Sequence, residues 1–204
     1  QELHPGLIST PLYDLADLHP ELYVDVVNEP EKGFVQAIMS RYPLTRISAE
    51  AEKGRLQKVV AETPAGPIAV WNVHLLPPFR VPPLWHDQQA AALVADIAAM
   101  EGPLIVAGDF NVTDQAVTYR LIDRYLDNAH WKTGYGFGFS YPASPHTVEG
   151  VPIVTGPIYK IDHIFYNDYF TATNAQTLVT SGGSDHLPVV AELSLVDPKG
   201  LKGP

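Results

Sequence analysis

The chain has 204 residues, 46% of them hydrophobic, which is enough to close one substantial core and is unlike a collagen, a coiled coil or a disordered segment. Thirteen basic residues stand against 23 acidic ones, and the net charge of −10 opposes nonspecific adhesion to a nucleic-acid backbone. With no cysteine, the sequence excludes disulfide frames, thiolate zinc sites and thiol nucleophiles.

No run of eighteen apolar residues and no charged-then-apolar leader occurs. The chain opens on Gln1-Glu2-Leu3 without an initiator methionine, so upstream residues are expected. In chain order, apolar runs predict strands at Val35 to Met39, Leu56 to Ala61 and Ile68 to Val73, the last two joined as a hairpin across Thr63-Pro64-Ala65-Gly66. Pro77, Pro78, Pro82 and Pro83 around Phe79 and Arg80 predict a stiff loop. Helical spacing of Leu93, Val94, Ile97 and Met100 predicts a helix over Asp87 to Met100, stopped by Gly102-Pro103.

A strand follows at Leu104 to Ala107, then a second helix from about Gln115 to Leu126, with Leu121, Ile122 and Tyr125 inward and Thr113 or Asp114 as its N-cap. Gly134 to Gly156, rich in glycine and aromatics, reads as a loop. Strands are predicted at Ile161 to Tyr166 and Leu187 to Leu195, the latter placing Leu187, Val189, Ala191, Leu193 and Leu195 on one face. One domain is expected over residues 1–195, with a tail over 196–204. Strands outnumber helices, so the fold class is mixed α and β, in stacked layers.

Polar residues gather at the ends of these strands. Gly108-Asp109-Phe110-Asn111 follows an apolar strand; it reads either as a plain strand-to-helix turn or as a carboxylate and carboxamide aimed into one cleft. Ser184-Asp185-His186 is either a solvated turn or a compact acid/base or metal unit. Asp162 in Ile161-Asp162-His163-Ile164-Phe165 is either a buried anchor or the partner that orients a histidine. His74 closes Asn72-Val73-His74-Leu75 at a strand end, and taken alone it reads as structural. His4, His19, His86, His130 and His146 lack metal-ligand spacing and are read as surface or loop residues.

Taken with Gln1-Glu2 and Ser40-Arg41-Tyr42-Pro43, these motifs in this order resemble the endonuclease/exonuclease/phosphatase family, which includes pancreatic-type deoxyribonuclease, abasic-site nucleases, bacterial sphingomyelinases and inositol polyphosphate phosphatases. The resemblance runs from Gln1 to about Leu195. It implies an α+β fold, a four-layer α/β/β/α sandwich of two mostly antiparallel sheets. It also implies a divalent-metal-dependent phosphoesterase that attacks a phosphodiester in line with an activated water. By motif position, Glu2 would bind the cation and Asp185 would assist there. Asp109 would position the water and Asn111 a phosphate oxygen. His186, oriented by Asp162, would act as general base or charged stabiliser, and His74 would contact the scissile phosphate; His163 is left structural. Mg²⁺ is the implied ion, with Mn²⁺ as a substitute.

Family members begin with a strand bearing an asparagine ligand, whereas this chain starts at the Gln-Glu, so an N-terminally truncated sandwich is expected. Its unpaired sheet edge would favour self-association. The text around Gly136 to Pro142 and Gly182 to His186 resembles bacterial members whose upstream region carries membrane spans, which implies an extracytoplasmic or membrane-tethered domain. The substrate classes left open are nucleic acid, a small phosphodiester, a phosphomonoester of a sugar and a lipid headgroup. A non-catalytic module that binds phosphorylated ligands is the competing reading.

Overall fold

The computed structural model describes residues 21–29, 34–50, 56–148 and 151–196. Glu2, His4 and His19 lie outside them. The elements in order are β1 (Tyr23–Glu29), β2 (Phe34–Ser40), β3 (Leu44–Glu50), β4 (Leu56–Thr63), β5 (Gly66–His74) and α1 (Pro83–Ala99). They continue with β6 (Leu104–Asp109), α2 (Val117–Ile122), β7 (Asp127–Asn128), α3 (Ala129–Thr133), β8 (His146–Val148) and β9 (Val151–Val154). β10 (Asp162–Tyr166), β11 (Phe170–Thr177) and β12 (Val189–Leu195) follow.

A six-stranded sheet in the order β3-β4-β5-β6-β10-β7 forms the centre. All its pairings are antiparallel except β5–β6, which are parallel and joined through α1, because parallel neighbours need a crossover. The tight turn at Pro64-Ala65 makes β4–β5 the expected hairpin, with Thr63 Oγ1 donating to Gly66 O at 2.7 Å and Gly66 at φ +112°, where a side chain would be strained.

One face of the sheet packs under helices. Trp71, Val73, Leu104, Val106 and Phe165 bury against Leu93 and Ile97 of α1 and Tyr119 and Ile122 of α2. Ile68, Ile105 and Ile164, on the other face, pack with Phe170, Ala172, Ala175 and Leu193 of the β11–β12 ribbon. The β1–β2 ribbon is fastened to the same sheet through polar groups: Gln57 Nε2 donates to Asp25 Oδ2 at 2.6 Å, and Arg46 Nη2 lies 2.8 Å from Asp25 Oδ1. This is the mixed α/β sandwich expected, and the described residues supply its α/β/β layers. None of their helices is long and apolar enough to cross a membrane.

Several elements differ from the sequence reading. α1 begins at Pro83, four residues early, because proline at the first helical position has no amide to lose there; Pro83 therefore belongs to the helix, not the loop. α2 is only Val117–Ile122, capped by Ala116 without a side-chain bond, and it buries Thr118, Tyr119 and Ile122 while Tyr125 is half exposed. Neither Thr113 nor Asp114 caps it. The stretch read as a loop from Gly134 to Gly156 contains the β8–β9 hairpin, with His146 opening β8. His86 is not on the surface: it is 4% exposed on α1. His130 sits in α3, half-buried, with the glycine-rich loop wrapped so closely that a side chain at Gly134 or Gly138 would strike its ring.

β11 escaped the apolar-run criterion because a register shift between Ala172 and Asn174 breaks its alternation and threonines fill its wet face. β12 alternates as predicted through Leu193, while Leu195 is exposed.

Candidate active site

Strand register assembles the site. In the sheet, His74 of β5 pairs with Asp109 of β6, and Asp109 pairs with Asp162 of β10. Cross-strand partners share a face, so the three polar side chains form one row at one end of the sheet. β6 runs two residues past its apolar stretch, and this places Asp109 in the row rather than in a following loop.

Asp109 is 6% exposed and tightly held. Its Oδ1 accepts from the Asn111 backbone N–H at 2.7 Å and its Oδ2 from Asn111 Nδ2 at 2.8 Å. His74 Nε2 lies 3.8 Å from Oδ2, with His74 itself buried. Asn111 adopts φ +52°, a left-handed conformation that asparagine tolerates better than most residues, and Nδ2 also donates to Leu75 O at 2.9 Å. The ladder continues beyond the strands: Leu75 N donates to Asp109 O, and Phe110 N to Ile161 O, each at 3.0 Å.

The segment that follows His74 is clamped from α1. Gln89 Oε1 accepts from Leu76 N at 3.1 Å, His86 Nδ1 donates to Leu76 O at 2.9 Å, and His86 Nε2 meets Thr118 Oγ1 at 3.3 Å. The sequence reading missed this clamp. His86 and Gln89 are three residues apart and share one face of α1, a spacing that could have raised the question.

His186 Nδ1 donates to Asp162 Oδ2 at 2.7 Å. Ser140, completely buried, joins the segments: its carbonyl accepts from Leu187 N at 2.7 Å and its hydroxyl from Asp162 N at 3.4 Å. Ser140 has no sequence signature beyond its place in the aromatic glycine-rich stretch. Tyr141 packs a tilted ring 4.8 Å from the His186 ring.

Burial, the largest single influence, would lower the His186 pKa; the Asp162 hydrogen bond and the charges of Asp162, Asp109 and Asp185 outweigh it and raise the pKa to about 9. The imidazole is therefore cationic at neutral pH, which suits a proton donor or charge stabiliser rather than a resting base.

Two cavities, of about 460 and 420 Å³, have Asp109, Asp185 and His186 in their common wall. The first runs over Val70, Ala107 and Ile164 between the sheets, and the second opens past Pro77, Phe79, Arg80, Tyr141 and Tyr159. Thus His74, Asp109, Asn111, Asp162, Asp185 and His186 are gathered at one place, while Glu2 lies outside the described residues. Among these residues no group of three or more His, Asp or Glu side chains is arranged to hold a metal ion. His163 stays structural: 1% exposed, it pairs with Asn128 Nδ2 at 3.2 Å and Val112 O at 3.0 Å.

A carboxylate–histidine pair and a carboxylate–amide pair thus stand together at the end of an α/β sandwich. Residues 1–186 match the endonuclease/exonuclease/phosphatase family, and the chain belongs to that family, whose members are phosphoester hydrolases. The fold is similar to a family protein from Bacteroides thetaiotaomicron (TM-score 0.66, 16% identity, 89% of this chain and 78% of that one). It is also similar to a mannosyl-6-phosphatase of the same organism (0.65, 17%, 90% and 82%). A third similar structure is D. rerio TDP2 complexed with a single-strand DNA product (0.68, 15%, 95% and 84%). No curated protein matches the sequence.

Proposed function

We propose that the chain is a divalent-metal-dependent phosphodiesterase that hydrolyses its substrate by in-line attack of water. The observation that carries this reading is the junction of both cavities, where the Asp162–His186 pair and the Asp109–Asn111 pair converge. Asp109 would orient the attacking water and take its proton, and Asn111 would release its amide toward a phosphoryl oxygen. His186, cationic and fixed by Asp162, would stabilise charge on the phosphoryl group and hand its Nε2 proton to the leaving oxygen. His74 would steady Asp109 from behind.

Asp109, Asp162 and Asp185 around one imidazolium leave surplus negative charge on oxygen donors, which fits a hard cation. Glu2 and Asp185 would hold Mg²⁺, or Mn²⁺ in its place, and the ion would offset charge on the phosphoryl oxygens.

The first test is release of p-nitrophenol from bis-p-nitrophenyl phosphate with and without Mg²⁺ or Mn²⁺. An Asp109→Ala variant serves as control and p-nitrophenyl phosphate as the monoester arm. Metal-dependent turnover of the diester, lost in the control, supports the proposal. Turnover of the monoester alone would move the assignment to a phosphomonoesterase, an activity that the name of the mannosyl-6-phosphatase carries. Turnover of neither would leave a phosphate-binding module.

A further inference from the structure

The wall of the 420 Å³ cavity contains a pinned loop with an aromatic ring pushed into solvent. Pro77-Pro78-Phe79-Arg80 closes as a turn, Arg80 N donating to Pro77 O at 2.9 Å, with Pro78 at the position where proline's fixed φ suits a turn. Its upstream side is fixed by the His86 and Gln89 clamp on Leu76, and its downstream side by Pro82, whose carbonyl accepts from Trp85 N at 2.9 Å as α1 begins. Phe79 is nonetheless 80% exposed. Tyr159, 49% exposed, lines the same cavity from another segment, its N–H held by Tyr141 O at 2.9 Å.

Arg80 is the one arginine or lysine among the described residues lining either cavity, and its Cζ lies 5.8 Å from the Phe79 ring centroid. In a protein of net charge −10, that places a lone guanidinium beside a ring at the mouth of an acidic site. Aromatic faces held in a rigid loop cost little entropy when a flat ligand stacks on them, and a guanidinium forks onto phosphoryl oxygens.

We infer that Phe79 and Arg80 form a specificity subsite for phosphate esters that bear a flat ring next to the phosphoryl group. The ring lies against Phe79 and Tyr159, and the Arg80 guanidinium takes an anionic oxygen. The inference rests on the phosphoesterase reading and deepens it. A nucleobase and a simple aryl group share the required chemistry.

The test is calorimetric titration of the protein with methyl phosphate, phenyl phosphate and adenosine 5′-monophosphate. It is repeated with Phe79→Ala, Arg80→Gln and, as a surface control, Val117→Ala. Both ring-bearing ligands should bind on the order of tenfold more tightly than methyl phosphate. Phe79→Ala should abolish that preference, Arg80→Gln should weaken all three ligands, and Val117→Ala should change neither. Tighter binding of the nucleotide than of phenyl phosphate assigns the ring to a nucleobase; the reverse assigns an aryl group. Equal affinity for phenyl and methyl phosphate, or a preference that survives in Phe79→Ala, overturns the inference. Because the readout is binding, a protein that cleaves the diester without ring preference loses this subsite and keeps its proposed activity. Ring preference without turnover does the reverse.

Discussion

The Asp162 carboxylate and the His186 imidazole meet at 2.7 Å although 24 residues separate them. Asp162 opens β10 and is fixed by the sheet, whereas His186 arrives on the turn before β12, carried by Gly182 and Gly183 at positive φ. Ser140 bonds both arms, so the pair is set before any ligand arrives.

Asp162→Asn removes the charge and keeps the shape. The variant should lose about 10²- to 10⁴-fold in kcat with little change in KM, since the ring loses its orienting anion rather than a ligand contact. The His186 titration, followed by NMR, should move down from about 9 because the first opposing influence to burial is that bond. Full turnover in Asp162→Asn would remove the pair from the mechanism.

Much of this site was legible as residue types at strand ends. Asp109, Asn111, Asp162 and His186 announce themselves by breaking apolar runs, because a polar group at the end of a buried strand must find a partner. Register was not legible: that Asp109 pairs with both His74 and Asp162 depends on β6 lying between β5 and β10, a choice made by packing between elements far apart in sequence. His86 was misread because nothing local shows that Thr118 of a distant helix closes over it. β11 was invisible because its apolar residues are spread across a bulge.

Asn111 combines a backbone role with a chemical one, and two substitutions separate them. Asn111→Gly keeps the φ +52° conformation and removes the amide; Asn111→Ala removes the amide and adds about 1–2 kcal/mol of left-handed strain. Both should lower kcat/KM alike on the diester and both should lower the urea midpoint through the lost Nδ2 bonds, alanine by the larger amount. Near wild-type turnover in Asn111→Gly would assign the residue to the turn alone.

The clamp on Leu76 gives a prediction for a residue with no ligand contact. Gln89→Leu leaves Leu76 N–H without its acceptor and should cost about 1–3 kcal/mol in urea unfolding. Leu75, whose carbonyl holds Asn111, is the next residue along, so turnover should also fall, with kcat affected more than KM. Gln89→Glu, which keeps an acceptor, should recover part of both; a variant that loses stability and keeps full kcat would confine the clamp to folding.

His163 sets a pH dependence of stability. Burial, its largest influence, together with the nearby Lys160 charge outweighs the Val112 bond and lowers its pKa to about 4. In the neutral ring Nε2 donates to Val112 O and Nδ1 accepts from Asn128 Nδ2, so a second proton would set two donors against each other. With the folded pKa depressed below an unfolded value near 6.5, the contribution is complete above pH 6.5 and is lost as pH falls toward about 4, a change of about 3 kcal/mol. The urea midpoint should drop across that window. His163→Gln should be less stable at pH 7 and show a flatter profile; an unchanged profile would assign the acid sensitivity to other groups.

Lys160 carries the opposite lesson, a charge that the fold tolerates rather than uses. It is 5% exposed, its Nζ has no hydrogen-bond partner among the described residues, and it rests 4.3 Å above the Trp131 ring. Burial lowers its pKa to about 8, against a weaker opposing pull from Asp114. The folded pKa is depressed, so the protein carries the whole penalty below pH 8 and sheds it as pH rises toward 10.5. Lys160→Met keeps the stem and removes the amine. It forfeits a cation–π contact of about 0.5–2 kcal/mol and relieves a desolvation cost of about 1–3 kcal/mol, so at pH 7 it should be as stable as the parent or more so. That advantage should shrink between pH 8 and 10.5. A thermal midpoint several degrees lower at pH 7 would show instead that the amine over Trp131 holds α3 against β10, and that the fold depends on its charge.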